Sequence, residues 1–224
     1  MPKMSADYFE KKRNKILDAA FAVSIKKPMH EVSMRDIISE SGLSQGGIYR
    51  YFSNLDEILI ELINQRMKRY DVKALVNAAM ISDDVPEKVI GEIFSIWKKA
   101  ILENLIGVGK IYYEICIVYA NDKDRLKNFT SKTLISSEES YLQEKSFSFI
   151  MQKITEGYFN PKLQLDDIFT FLITSLDGMI RDLILDKYYQ IDDSPFSNRL
   201  DEDRLIKSLC TAFILLLGGN EELI

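Results

Sequence analysis

The chain has 224 residues, 46% of them hydrophobic, and a formal net charge of −5, enough apolar material for one or two domains with a sizeable core. Two cysteines give no disulfide framework, a lone histidine with no acidic cluster beside it gives no metal or cofactor site, and no apolar run reaches the roughly 18 residues of a membrane span. Up to Leu55, nine Lys and Arg stand against six Asp and Glu, so a basic head precedes an acidic body, as suits a protein that touches a polyanion at one end.

The polar stretch Met1 to Asn14 lacks the character of a signal peptide, which makes the expected location cytoplasmic. Pro2 to Asp7 reads as a short arm. Tyr8 to Lys26 reads as the first helix, with Ile16, Leu17, Ala20 and Phe21 as its apolar stripe and Lys11, Lys12, Arg13 and Lys15 crowding its first turns. Those cations oppose the helix dipole and fit either an external anion or a solvated face. Pro28 ends the helix and leaves His30 in the connection, where a surface role is expected.

Ser33 to Asn54 carries the densest local signals. Ser33 with Asp36 three residues on reads as a helix start, because the hydroxyl can accept a free amide while the carboxylate sits at the positive end of the dipole. Met34, Ile37 and Ile38 share one face of the short helix that follows. Gly42 supplies the left-handed residue that ends it, and Ser44 is placed to cap the next helix. Ile48 and Phe52 hold that helix to the same core, so Gln45, Gly46, Gly47, Tyr49, Arg50 and Tyr51 divide the other faces. This is helix-turn-helix spacing. Gly42-Leu43-Ser44-Gln45-Gly46 also matches the G-x-S-x-G pattern of hydrolase nucleophile elbows, but that elbow needs a preceding strand and a following histidine, and the spacing here is helical with His30 upstream.

These residues resemble the DNA-binding domain of the tetracycline-repressor (TetR) family. The likeness runs from Arg13, Ile16, Leu17, Ala19, Ala20 and Phe21, through Ser33, Asp36, Ile37, Gly42, Ser44, Gly46, Tyr49, Tyr51 and Phe52, to Glu57, Ile58 and Leu59, about the first quarter of the chain. Ser24 stands where the family usually has Phe, Pro28 where it has Gly, and Leu55 where it often has a phosphate-binding Lys. The resemblance implies an all-α fold, with a DNA-binding domain over 1–55 and a helical effector-binding and dimerisation domain over 56–224. It implies contact with double-stranded operator DNA through Arg35, Ser44, Gln45, Gly46, Gly47, Tyr49, Arg50, Tyr51, Ser53 and Asn54. Within that set Arg35 and Gln45 would read bases, and Tyr49, Tyr51 and Ser53 would hold phosphates, aided by free amides at the start of the fourth helix. Gly46 and Gly47 are costly inside a helix of two turns, which points to close approach of another surface.

Asn54 caps a helix that meets no Gly or Pro until Pro86, so one long helix is expected from Leu55 into the body, a rigid joint able to transmit a shift. From Val85 onward the chain reads helical, with period-2 strands absent. Ile90, Ile93, Phe94, Trp97, Ile101 and Leu105 keep helical spacing. Gly107 and Gly109 are expected to break the chain before a shorter helix bearing Tyr112, Tyr113, Cys116 and Tyr119, and a long helix spans Lys123 to Glu156. Leu165, Phe169, Leu172, Leu176, Met179 and Leu183 mark another helix, Pro195 punctuates the last gap, and a final helix covers Asp201 to Leu217.

These last two helices carry apolar residues off their main stripes, which predicts burial against a second copy of the chain through Phe171, Ile180, Ile184, Leu209, Phe213 and Leu216. The four-helix homodimer seam this describes is also what the resemblance implies. The aromatic-rich set Trp97, Tyr112, Tyr113, Cys116, Tyr119, Phe147, Phe169 and Met179 allows a pocket for a small hydrophobic or aromatic effector, and the same residues also fit plain core packing. The leading expectation is a ligand-released repressor on a pseudo-palindromic operator, with no catalytic set, metal or cofactor. A constitutive DNA-binding protein without effector remains open, and an enzyme is the remote alternative.

Overall fold

The computed structural model describes residues 6–67, 71–189 and 201–223, with the side chains of 6, 100–106 and 139 outside the description. All regular structure among the described residues is helical, and none of those helices is long and apolar enough to cross a membrane. Packing divides them into two compact units. Residues up to 67 join 106–137, and residues 71–105 join 138–189 and 201–223. The first unit therefore reaches past Leu55, the boundary expected from sequence.

In the first unit α1 (Ala6–Lys26) buries Ile16, Leu17 and Ala20 against α2 (Met34–Ser41), α3 (Gln45–Tyr49) and α4 (Leu55–Met67). Ile37, Ile48, Phe52, Ile58, Leu59 and Leu62 complete this core with essentially no exposed surface. The local signals form as expected. The Asp36 amide donates to Ser33 Oγ at 3.3 Å while the Ser33 amide donates to Asp36 Oδ2 at 2.9 Å, a reciprocal cap. Gly42 ends α2 at φ 63°, a left-handed conformation that glycine adopts without strain. Ser44 Oγ then accepts the Gly47 amide at 3.2 Å. The G-x-S-x-G coincidence is thus a turn between two helices, and its serine is a cap.

α7 (Lys110–Val118) and α8 (Lys123–Thr130) belong to this same unit, contributing Ile111, Ile115 and Phe129 to its core. Gly107 and Gly109 do not break the chain into a loop. They lie in a single π-helical turn, Leu105–Gly109. A Cβ on Gly107 would stand 2.7 Å from the Phe21 ring, so that ring packs on bare backbone.

The second unit holds α5 (Val72–Met80), α6 (Pro86–Asn104), α9 (Leu134–Thr155, counted from Glu138), α10 (Leu165–Tyr189) and α11 (Glu202–Leu217). Two sequence expectations fail here, because a helix can end and restart where no Gly or Pro stands. The single helix from Leu55 to Pro86 is instead α4 and α5, because Asp71 accepts the Ala74 amide at 3.0 Å and begins a new helix. The single helix from Lys123 to Glu156 is α8 and α9, parted by the turn at 131–133. The rigid one-helix joint is therefore absent. Pro195 and the Pro2 to Ser5 part of the arm lie outside the described residues, as do the side chains of Ile101 and Leu105.

Glu87, in the first turn of α6, is buried and accepts both the Tyr158 hydroxyl at 2.7 Å and the Asn220 amide at 3.1 Å. Burial, then the Glu87 carboxylate, push the Tyr158 phenol up to about 12. α11 ends at Gly218 with φ 78°, where a Cβ would collide with the Asn160 carbonyl at 2.4 Å.

Candidate functional site

Over the core of Ile37, Ile48 and Phe52, the chain presents a continuous polar face. Arg35, Ser44, Gln45, Gly46, Tyr49, Arg50, Ser53 and Asn54 are exposed, while Gly47 and Tyr51 are half-buried. All ten lie on α2, α3 or the turns that flank them. Tyr51 packs on the core with its ring tilted against Phe9, at 6.2 Å between centroids. Tyr49 stands 45% exposed, a costly position for a ring that has no partner to meet. Arg13 is held by Glu61 and stacked on Phe52 at 4.9 Å, which ties α1 to α4 behind this face.

Two expectations about the face change. α3 has only five residues, so Gly46 and Gly47 sit in its first turn instead of its interior, and the helix penalty expected for them is largely absent. Open space surrounds Gly46, whereas a Cβ on Gly47 would press on Ser44 Oγ at 3.1 Å. At the start of α4, Glu57 Oε2 takes the Ser53 amide at 2.7 Å and Asn54 Oδ1 takes the Glu57 amide at 3.0 Å. Those two amides are not free for a phosphate, and Leu55 is half-buried against the core.

The face is braced from α7 and α8 by groups that sequence reasoning passed over. Lys110 is 1% exposed, and its ammonium donates to the carbonyls of Ser24 at 2.9 Å and Lys27 at 3.1 Å, the closing residues of α1. A cation there complements the negative end of the α1 dipole. Glu114, one turn on, pairs with Lys110 at 2.9 Å and accepts the Met29 amide at 2.9 Å, holding the connection from α1 to α2. The signal that could have found them is the i, i+4 Lys and Glu pair inside an otherwise apolar run. At the start of α4, Asp56 accepts the Tyr119 hydroxyl at 2.6 Å and two Arg125 donors at 3.0 and 2.8 Å. Burial raises the Asp56 carboxyl, but the Arg125 and Tyr119 hydrogen bonds outweigh it and leave the group below its ordinary range. Burial and the Asp56 carboxylate push the Tyr119 phenol upward.

The second unit contains a cavity of about 720 Å³ between α6, α9, α10 and α11. Trp97, Phe147 and Phe169 line it, together with Phe94, Leu172 and Leu176, which were read only as helix stripe. Met179 packs in the surrounding core without lining it. Tyr112, Tyr113, Cys116 and Tyr119 do not line it either. They lie on or at the end of α7 in the first unit, where Tyr119 serves the Asp56 network and Tyr112 flanks the core. Aromatic richness grouped them with the pocket residues but could not say toward which core they turn.

The residues expected at a dimer seam divide. Phe213 is buried within its own chain, its ring 6.0 Å from Phe94 and 5.7 Å from Phe169, and Ile184 is 3% exposed. Ile180 faces the cavity, and Leu209 and Leu216 are half-buried beside the α11 core. Phe171 is 47% exposed. The apolar surplus of α11 is thus spent largely inside the chain, and that of α10 only in part.

A capped helix-turn-helix joined to a helical body with its own cavity defines a DNA-binding transcriptional regulator. Residues 16–62 match the sequence model for bacterial regulatory proteins of the tetR family, which marks this stretch as a TetR-type DNA-binding domain. It is 26% identical over 190 residues, 82% of this chain and 85% of the relative, to the HTH-type transcriptional regulator YfiR of Bacillus subtilis. It is 22% identical over 161 residues, 72% of this chain and 76% of the relative, to the HTH-type transcriptional repressor KstR2 of Mycobacterium tuberculosis. Among solved structures, a Syntrophomonas wolfei regulator assigned to the TetR family shares the fold with a TM-score of 0.62 at 19% identity, covering 94% of this chain and 97% of that one. The TetR-family regulator PfmR of Thermus thermophilus does so at 0.58 and 17% identity, covering 91% and 97%.

Proposed function

We propose that the protein is a ligand-released repressor that grips a pseudo-palindromic operator as a homodimer. The observation that carries this reading is the pairing of an exposed, braced helix-turn-helix face with an aromatic-lined cavity of about 720 Å³ in the second unit. A DNA-binding protein without an effector has no use for such a cavity, since an unfilled apolar space costs stability. One small module buries too little surface for tight specific binding, so two heads about 34 Å apart on the duplex are the physical expectation. The exposed Phe171 on α10 supports a second copy as its cover. The repressor sense follows the name of the Mycobacterium tuberculosis relative.

At the DNA, Arg35 suits a guanine edge and Gln45 an adenine edge, each good bidentate pair giving about 1–3 kcal/mol of discrimination. Tyr49 and Ser53 then hold phosphates. Selection of genomic fragments by the purified protein, followed by footprinting, should yield a two-fold symmetric site. In competition shift assays on that site, Arg35→Ala and Gln45→Ala should each relax preference at one base position per half-site. Unchanged preference in both variants would remove the base-reading assignment.

A further inference from the structure

We propose that the cavity of the second unit takes a small amphipathic organic cation, with Asp177 on α10 as its counter-ion and the aromatic wall as its cradle. This rests on the cavity being the effector site and names the chemical class of its occupant.

The charge of the lining is one-sided. Glu144, Asp166 and Asp177 border the cavity, and among the described residues no Lys, Arg or His does so. None of the three carboxylates has an ion pair or hydrogen bond to another described residue, whereas other acids of the second unit such as Glu87 and Glu156 are engaged. All three carboxylates are exposed at the rim of the cavity, and protein crowds the Asp177 carboxyl enough that burial raises its pKa. A carboxylate in that position gains from a cation and loses from an anion.

The apolar part of the wall points the same way. Phe94, Trp97, Phe147 and Phe169 surround the space, and aromatic faces attract a cation whose charge is spread over an organic frame. A metal ion or a hydrated inorganic cation would lose its water to phenyl rings without oxygen ligands to replace it. An anionic amphiphile would set its head among three acids with no base to receive it. A neutral ligand would fit the rings but gain nothing from the three carboxylates at the rim. The organic cation is the occupant that satisfies both parts of the wall.

Trp97 is the single tryptophan of the chain and lines this cavity, so its fluorescence reports occupancy directly. The full-length protein would be titrated with tetraphenylphosphonium and with tetraphenylborate, ions of the same shape and opposite charge. The expected result is quenching by the phosphonium at a dissociation constant at least about tenfold below that of the borate, the scale of one close charge contact with partial solvent access. In Asp177→Asn the phosphonium should weaken by about fivefold or more while the borate holds or tightens, with the thermal transition unmoved. Equal binding of the two ions, or tighter borate, overturns the cation. Nile red, which is neutral, separates the two levels of the reading. If Nile red enters and the phosphonium cannot displace it, the cavity is a ligand site of another class and the cation is wrong. If no probe alters Trp97 while operator binding is intact, both the cation and the effector cavity fail and the DNA-reading head stands.

Discussion

The two units solve opposite problems with the same material. The first is closed by directed polar contacts: the Ser33 and Asp36 cap, Ser44 on Gly47, Asn54 and Glu57 at α4, Lys110 on the end of α1, and the Asp56, Tyr119 and Arg125 cluster. Each of these accepts only one geometry, so the face above them is held in place. The second unit is packed chiefly by rings and aliphatic chains around a space they do not fill, and it leaves Phe147, Phe171 and Ile173 partly in solvent. Apolar contacts are non-directional and tolerate repacking. A surface that must meet a duplex needs the first kind of construction, and the wall of the proposed effector cavity has the second.

The contrast breaks most visibly at Lys110. Lys110→Met removes a buried cation and strands Glu114 and two helix-end carbonyls, at an expected cost of about 3–5 kcal/mol in urea denaturation. Adding Glu114→Gln to that variant should cost little more, because the two residues act as one unit. A loss under about 1 kcal/mol for Lys110→Met would mean that packing, not the polar brace, holds the head.

Phe213 and Phe171 test the second unit. Phe213→Ala should lose about 3 kcal/mol, the lower end for a buried ring because the neighbouring cavity already spares part of its contacts. Phe171→Asp should leave the thermal transition of the protomer nearly unmoved and instead shift sedimentation toward monomer, with loss of operator binding. If Phe171→Asp remains dimeric, the seam lies on another face.

Acid separates the units next. Lys27, and then Ser33, hydrogen-bond Asp36 and hold its carboxyl at about 2 against an ordinary 3.8. A depressed folded pKa stabilises the head above the ordinary value, and that stabilisation disappears as pH falls through about 2. Between those limits the wild-type head should lose stability that Asp36→Asn, already without the interaction, does not. Ser33→Ala should cost about 1 kcal/mol at neutral pH and reduce the acid slope. Parallel slopes for all three proteins would remove Asp36 from the account.

The smallest effects are at the glycines of α3. Gly46→Ala enters open space and should gain up to about 0.5–1 kcal/mol, while weakening operator binding where the bare backbone approaches the duplex. Gly47→Ala crowds the Ser44 cap and should gain less or lose slightly. Thermal melts of both variants, with shift assays on the same operator, check the pair. A destabilised Gly46→Ala with normal DNA binding would place that glycine in internal packing.

The sequence by itself determined the reading head, because its signals act within four residues. A cap joins residues three apart, a left-handed glycine ends its own helix, and Ile48 with Phe52 lie one turn apart, so each could be named before any fold existed. The final helix was legible for the same reason, between Asp201 and Gly218. Only the tertiary structure decided where distant surfaces meet. Aromatic richness set Tyr112 and Tyr119 beside Trp97 as pocket candidates, but α7 packs in the first core, and no local rule could tell the two cores apart. Lys110 acquired its role only when the end of α1 came to rest on it across more than 80 residues of chain. Asp177 likewise came to border an aromatic wall only when α6, α9 and α11 closed beside α10, for the surroundings of a group are set by what meets it in space and not by its neighbours in the chain.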